Sequence, residues 1–172
     1  ASMLGYNVLI TTSNAHDISE LQSLVESNRV DGMLLTRALE DDRALQYLSQ
    51  ANFPTALTGT CRYDNIIQVD TDNEGAAEKM TTLLIGKGFR RFAFLVKDMS
   101  YNVDRKRHEG FCRALIKNGI SEKDQLFYNG SIRMEFLDAI IENIISKKVE
   151  CIICGDDEIC TMVMSRLQAE GY

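Results

Sequence analysis

IIQVDTDNEGAAEKMTTLLIGKGFRRFAFLVKDMSYNVDRKRHEGFCRALIKNG, residues 66–119, is the stretch that decides the fold. Ile66 to Val69 is a short apolar strand pattern, followed by the acidic turn Asp70-Thr71-Asp72-Asn73. An amphipathic helix runs from there until Gly86 and Gly88 stop it. Arg91 to Val96 reads as a second strand, Lys97 to Val103 as a polar loop, and Asp104 to Asn118 as a second helix closed by Gly119. Strand, helix, strand, loop, helix is the repeating unit of parallel α/β sheets. The loop follows the carboxyl end of a strand, where open α/β sheets hold their ligands.

Working outward, the same alternation continues on both sides. Upstream, Tyr6 to Thr12 is an apolar, β-branched strand pattern. Asp17 to Asn28 is helical, with Ile18, Leu21, Leu24 and Val25 on one face. Met33 to Thr36 is a strand, and Asp41 and Asp42 open a helix with Ala44, Leu45 and Leu48 inward. That helix ends at Phe53-Pro54, since the residue before proline avoids helical geometry. Thr55 to Thr58 is a further strand. Downstream, Leu126 to Tyr128 is a strand with the exit loop Asn129-Gly130-Ser131-Ile132. Glu135 to Ser146 is a helix, Val149 to Cys154 a strand, and Glu158 to Ala169 the last helix. In the central helix, Asp72 or Asn73 is the N-cap, and Ala76, Ala77, Met80, Leu83, Leu84 and Ile85 form the buried face. The fold class is therefore α/β, with parallel sheets carrying helices on both faces.

Composition narrows the function. The chain has 172 residues, 45% hydrophobic and 26% charged, an ordinary globular balance. Its formal net charge is −6, with no basic cluster able to track a phosphate backbone. Apolar runs are too short to span a bilayer, so no membrane partner is expected. The amino terminus shows no basic–apolar–small signal pattern. Five cysteines, an odd number, point to a reducing, cytoplasmic compartment rather than a disulfide scaffold. Cys151 and Cys154 form a CxxC inside a strand pattern, so their side chains face opposite sides, roughly 10 Å apart, and read as packing residues. His16 and His108 sit in separate elements without a metal-spaced partner set, and both read as surface residues. No P-loop, dinucleotide fingerprint or Gly-x-Ser-x-Gly occurs, and no catalytic residue, cofactor or metal site is assigned.

Read in order, several segments resemble the lac-repressor/galactose-repressor family of bacterial transcription regulators. They are Gly5-Tyr6-Asn7-Val8-Leu9-Ile10, Val30-Asp31-Gly32-Met33-Leu34-Leu35, Asp72-Asn73-Glu74-Gly75-Ala76-Ala77, Gly86-Lys87-Gly88-Phe89-Arg90-Arg91, Arg107-His108-Glu109-Gly110-Phe111 and Ile152-Ile153-Cys154-Gly155-Asp156-Asp157. The resemblance implies an effector-binding core with the two-lobed fold of periplasmic sugar-binding proteins. The first lobe would be residues 1–70 and the second 71–172, with the ligand cleft between them. The family's first strand and helix, its final strand and its DNA-binding helix-turn-helix are not in this sequence, which thus reads as a fragment truncated at both ends. The implied partners are a sugar-like small-molecule effector, operator DNA through the missing helix-turn-helix, and a second copy in a homodimer. A periplasmic or membrane-tethered sugar-binding protein of the same fold is the alternative.

The resemblance also nominates ligand contacts. Arg107 lies three residues before Gly110, where family members place an effector-binding arginine. Its planar fork of donors suits hydroxyls, carboxylates and phosphates. From position alone it would be a solvated charge beside Arg105 and Lys106. Asp156 follows a strand end at a position that often bonds a ligand hydroxyl. It could equally cap the last helix, a job Asp157 could also do. Tyr101 and Val103 fall on the loop that shapes the pocket. Ile132 replaces an aromatic that stacks on the effector in several members, offering apolar contact without a π face. Gly59 replaces a carboxylate for effector hydroxyls, leaving Thr60 beside it as the candidate.

Overall fold

A computed structural model describes residues 4–12, 17–130 and 134–172, the side chains of Met134 and Glu135 excepted. The chain divides into two compact units, Ala1–Val69 and Asp70–Tyr172. All described strand pairs are parallel.

In the first unit, α1 (Ser19–Glu26), β1 (Met33–Leu35), α2 (Arg43–Gln50), β2 (Thr55–Thr58) and β3 (Ile67–Val69) form a sheet of order β1-β2-β3. Asp42 caps α2, its carboxylate accepting the amides of Ala44 and Leu45 at 2.9 and 3.1 Å. Leu21 from α1, with Ala44 and Leu48 from α2, packs against Met33 and Leu35. Leu45 joins Leu57 and Ile66 beside them. Strand alternation turns the other side chains away, and there Leu34, Ile67 and Val69 remain two-thirds exposed. The strand expected over Tyr6 to Thr12 is not formed. This segment joins neither sheet, and Tyr6, Val8, Leu9 and Ile10 are exposed. β-branched alternation specifies a strand only where a neighbouring strand completes the ladder.

In the second unit, α3 (Asn73–Gly86), β4 (Phe92–Val96), α4 (Asn102–Lys117), a 3₁₀ turn (Glu122–Asp124), β5 (Leu126–Asn129), α5 (Met134–Ser146), β6 (Cys151–Cys154) and α6 (Asp157–Ala169) give a sheet of order β5-β4-β6. β4 is central and every residue of it is buried. Phe92, Phe94 and Val96 meet Ile85 of α3 with Phe111 and Leu115 of α4 on one face. Ala93 and Leu95 meet Leu137, Ile141 and Ile144 of α5 with Ile159 and Val163 of α6 on the other. Cys151 packs with the first cluster and Cys154 with the second, so the CxxC straddles the sheet as strand geometry requires. At the amino ends of the strands, Glu150 clamps the amides of Arg90 and Arg91 at 2.8 and 3.0 Å.

Two expectations need correction here. Asp72 caps α3, but the inward face of that helix is Asn73, Ala77, Thr81 and Ile85, while Ala76, Met80 and Leu83 are exposed. α4 approaches α3 closely at Gly110, where an added Cβ would lie inside contact distance of the Glu74 carbonyl. The inward stripe therefore begins with the short side chains of Asn73, Ala77 and Thr81 before the apolar Ile85, and hydrophobicity alone picks the wrong one.

His108 is not a surface residue. It is half-buried on α4 among aromatics, with ring centroids 4.3 Å from Phe127 and 5.7 Å from Phe94. Burial holds its pKa below the usual imidazole value of 6.5, opposed by Glu122 and Glu109. The unfolded chain thus binds more protons than the folded one just below that value, so this group's stability is present above pH 6.5 and lost as the pH falls through it. Thermal melts of wild type are expected to show this loss as the pH falls below 6.5, and His108→Phe to flatten it. An identical slope in both proteins would contradict it.

Candidate functional site

The carboxyl ends of β4, β5 and β6 bring together one set of charged and polar groups of the second unit, among them Lys97, Asn129 and Asp156. Three segments meet there: Lys97 to Tyr101 leading into α4, Asn129 at the end of β5 with Gly130 after it, and Gly155 and Asp156 leading into α6. The Asn129 carboxamide oxygen accepts the Met99 amide at 3.1 Å, tying the first connection to the second. Gly155 donates its amide to the Leu95 carbonyl at 2.7 Å, carrying the β4–β6 ladder one step past the strand. A Cβ on Gly155 would sit 2.9 Å from Val96 Cγ1 and 3.2 Å from that carbonyl oxygen, so only glycine passes here undisturbed.

Arg107 projects from the second turn of α4 towards this edge and is half-buried. Its Nε donates to Asn73 Oδ1 at 3.1 Å, and its Nη1 donates to the Gly155 carbonyl. Position alone would make it a solvated helix-face charge. The fold instead gives it two fixed acceptors, one on α3 and one after β6. Its neighbours differ: Arg105 pairs with Glu109 at 3.0 Å on its own helix, and Lys106 lies 3.7 Å from Asp70.

Asp156 does perform the capping role, its carboxylate accepting the Ile159 amide at 2.8 Å. Asp157 becomes the first residue of α6 and is exposed. The second oxygen of Asp156 lies 3.0 Å from Lys97 Nζ, which also pairs with Glu158. Burial raises the Asp156 pKa, but the helix amides and the Lys97 ammonium outweigh it, and the group lies below the usual carboxylate value. Glu158 and then Asp156 hold the Lys97 ammonium above its ordinary value. At neutral pH the edge therefore carries fixed positive and negative groups side by side, suited to a ligand that both donates and accepts.

Of the other candidates, Tyr101 is the N-cap residue of α4 and Val103 lies in its first turn, both half-buried. The helix begins at Asn102, so the polar loop is shorter than its sequence suggests. Ile132 lies outside the described residues. Thr60 belongs to the first unit, on the segment after β2 and half-buried. The Gly59 amide donates to the Val69 carbonyl at 2.9 Å and the Cys61 amide to Gln68 Oε1 at 2.7 Å, pinning Thr60 on both sides. Gly59 has φ +132°, a conformation that L side chains rarely adopt, so a side chain at this position would be strained. Sequence reading missed Lys97 and Asn73. Asn73 carried a signal as a helix cap, but its partner is 34 residues away.

Among the described residues no group of His, Cys, Asp and Glu side chains gathers at metal-binding distance. Nor is any helix there long and apolar enough to cross a membrane.

Residues 1–172 match the family described as periplasmic binding proteins and the sugar-binding domain of the LacI family. The chain is 26% identical to catabolite control protein A of Staphylococcus xylosus over 99% of its own length and 53% of that protein. It spans about half the length of the curated relatives it matches over its whole extent. A solved transcription regulator-like protein from Staphylococcus haemolyticus superposes with TM-score 0.86 and 27% identity, over 99% of this chain and 62% of that one. The Cra transcriptional dual regulator of Pseudomonas putida, solved in complex with fructose 1-phosphate, gives TM-score 0.78 over 98% of this chain and 64% of that one. At 20% identity it shows the fold alone. These relatives are transcription regulators, not enzymes.

Proposed function

The chain belongs to the family of periplasmic binding proteins and the sugar-binding domain of LacI-family regulators, and from that we propose that it is the effector-binding core of a DNA-binding regulator sensing a sugar-like metabolite. One observation carries the reading: Arg107 is held by Asn73 and the Gly155 carbonyl at the carboxyl edge of a parallel sheet, with Asp156 next in the chain to Gly155. A sugar hydroxyl donates and accepts at once. It can accept from the guanidinium and donate to the carboxylate, a combination few other small polar groups match. The bonds to Asn73 and Gly155 use Nε and Nη1, so the ligand meets the Nη2 side of the fork. Tyr101 and Val103 supply apolar and aromatic surface at the start of α4, as sugar-binding sites require. The description of the matching family as a sugar-binding domain supports this ligand class.

On this reading the two units are the two lobes of the family's core. Operator binding belongs to a segment outside these residues. The effector acts by favouring one of two states of the regulator, a coupling between two sites. The core works as a homodimer in the cytoplasm. Exposed Phe136 on α5 and Met164 on the adjoining α6 offer apolar surface for pairing. The test is operator release by the full-length protein, followed by fluorescence anisotropy with a panel of sugars and sugar phosphates. A panel member is expected to change operator affinity by about tenfold or more, the size of a typical allosteric coupling. The same change persisting in Arg107→Ala would contradict the assignment.

A further inference from the structure

Asn73 is 6% exposed, and chemistry fixes which way its carboxamide points. A guanidinium only donates, so the atom facing Arg107 Nε at 3.1 Å is the oxygen. The nitrogen Nδ2 donates to Asp70 Oδ1 at 2.9 Å and to the Thr71 carbonyl at 3.1 Å. Flipping the amide would set donor against donor at one end and oxygen against carboxylate at the other. Asp70 Oδ1 also accepts the Thr71 amide at 2.8 Å, and Thr71 accepts the Asn73 amide at 2.7 Å.

Helix capping does not explain this buried amide. That job falls to Asp72, whose carboxylate accepts the Gly75 amide at 2.8 Å. What the Asn73 side chain joins is the Arg107 guanidinium and the turn at Asp70-Thr71. Asp70 is the first residue of the second unit, directly after Val69 at the end of β3.

We propose that Asn73 is a positioning residue: its carboxamide locks the Arg107 guanidinium in its ligand-facing orientation and links it to the Asp70-Thr71 turn, where the chain enters the second unit. The proposal rests on the reading of Arg107 as a ligand contact. It extends that reading by making the arginine's orientation depend on a residue that need not touch the ligand. It also gives the arginine a hydrogen-bonded path to the connection between the units.

The variants separate the two ends of the relay. Asn73→Ala removes both. Asn73→Asp keeps an oxygen for Arg107 Nε but places a second carboxylate against Asp70 Oδ1 and the Thr71 carbonyl. The readout is the arginine side-chain Nε–H spectrum of the 172-residue chain, with Arg107 assigned by loss of its signal in Arg107→Lys. In wild type the Arg107 Nε–H is expected to be shifted from the free-arginine position and protected from exchange. Asn73→Ala returns it to that position and speeds exchange by roughly tenfold, the factor such a charge-assisted bond contributes. Asn73→Asp restores the Nε–H shift while the Thr71 amide signal moves. An unchanged Arg107 signal in Asn73→Ala overturns the proposal. If Asn73→Ala does not fold, Asn73→Asp decides: a retained Nε–H signal supports it and a lost one overturns it. The ligand reading fails separately, if sugar responses survive Arg107→Ala while these spectra behave as expected.

Discussion

Gly110→Ala is expected to lower the melting temperature of the second unit by roughly 12–24 °C, because about 3 kcal/mol is lost from a body of about 100 residues. The added Cβ would lie inside contact distance of the Glu74 carbonyl oxygen, and 3.0 Å from both the Glu74 carbonyl carbon and the Glu78 amide nitrogen. All three are backbone atoms of α3, so no side chain can rotate away. The helices must separate, and separation disturbs the packing of Phe111, Leu115 and Ile85 over β4. It also shifts Arg107, three residues before Gly110, relative to Asn73 on α3. Gly86→Ala is the matched control. A Cβ there meets nothing within 4 Å, and alanine in a helix is favoured over glycine by about 0.5–1 kcal/mol. Paired thermal melts check both. A Gly110→Ala protein that melts within a few degrees of wild type would mean that α3 and α4 are not packed this closely.

Replacing Arg107 is expected to weaken effector binding by roughly 10- to 150-fold, the range for one hydrogen bond to a charged group. Arg107→Ala removes the fork and also leaves Asn73 Oδ1 and the Gly155 carbonyl without their donor, so some stability is lost with affinity. Arg107→Lys keeps the positive charge. A point ammonium cannot reach two fixed acceptors and a ligand in one plane, so it fails as well. Asp156 makes a useful contrast. Asn caps helices as well as Asp does, so Asp156→Asn should keep α6 and lose only the Lys97 pairing and the carboxylate acceptor. The measurement is the ligand-induced rise in melting temperature across the sugar panel, since a ligand of the native state stabilises it by mass action. Equal rises in wild type and Arg107→Lys would show that the fork is not used.

Periodicity and capping residues made most of the second unit legible. The alternation of β4, α4, β5, α5 and β6, the cap at Asp72 and the stops at Gly88 and Gly119 are local signals, and local signals survive in a sequence, although Gly86 itself is still helical. The failures are all long-range. Tyr6 to Thr12 has strand composition, but a ladder is a property of two strands. Met80 and Leu83 are apolar, yet the inward stripe of α3 is set by how near α4 comes at Gly110. His108 looks exposed on a polar helix until β5 delivers Phe127 against its ring. The site divides the same way. The family pattern around Gly110 pointed to Arg107, and strand-end logic pointed to Asp156. Nothing local announces that Arg107 is held by an amide 34 residues earlier, or that Lys97 pairs with a carboxylate 61 residues later. Both partners are ordinary polar residues: the packing of α3 against α4 brings Asn73 to Arg107, and the pairing of β4 with β6 brings Glu158 to Lys97.

The most direct test is a backbone amide titration of the isotopically labelled chain with the panel sugar that most raises its melting temperature. Shifts are expected to concentrate at Lys97 to Val103, at Arg107 and at Gly155 to Asp157, and to vanish in Arg107→Ala. Shifts confined to other surfaces, or the same pattern and affinity without the arginine, would contradict the account.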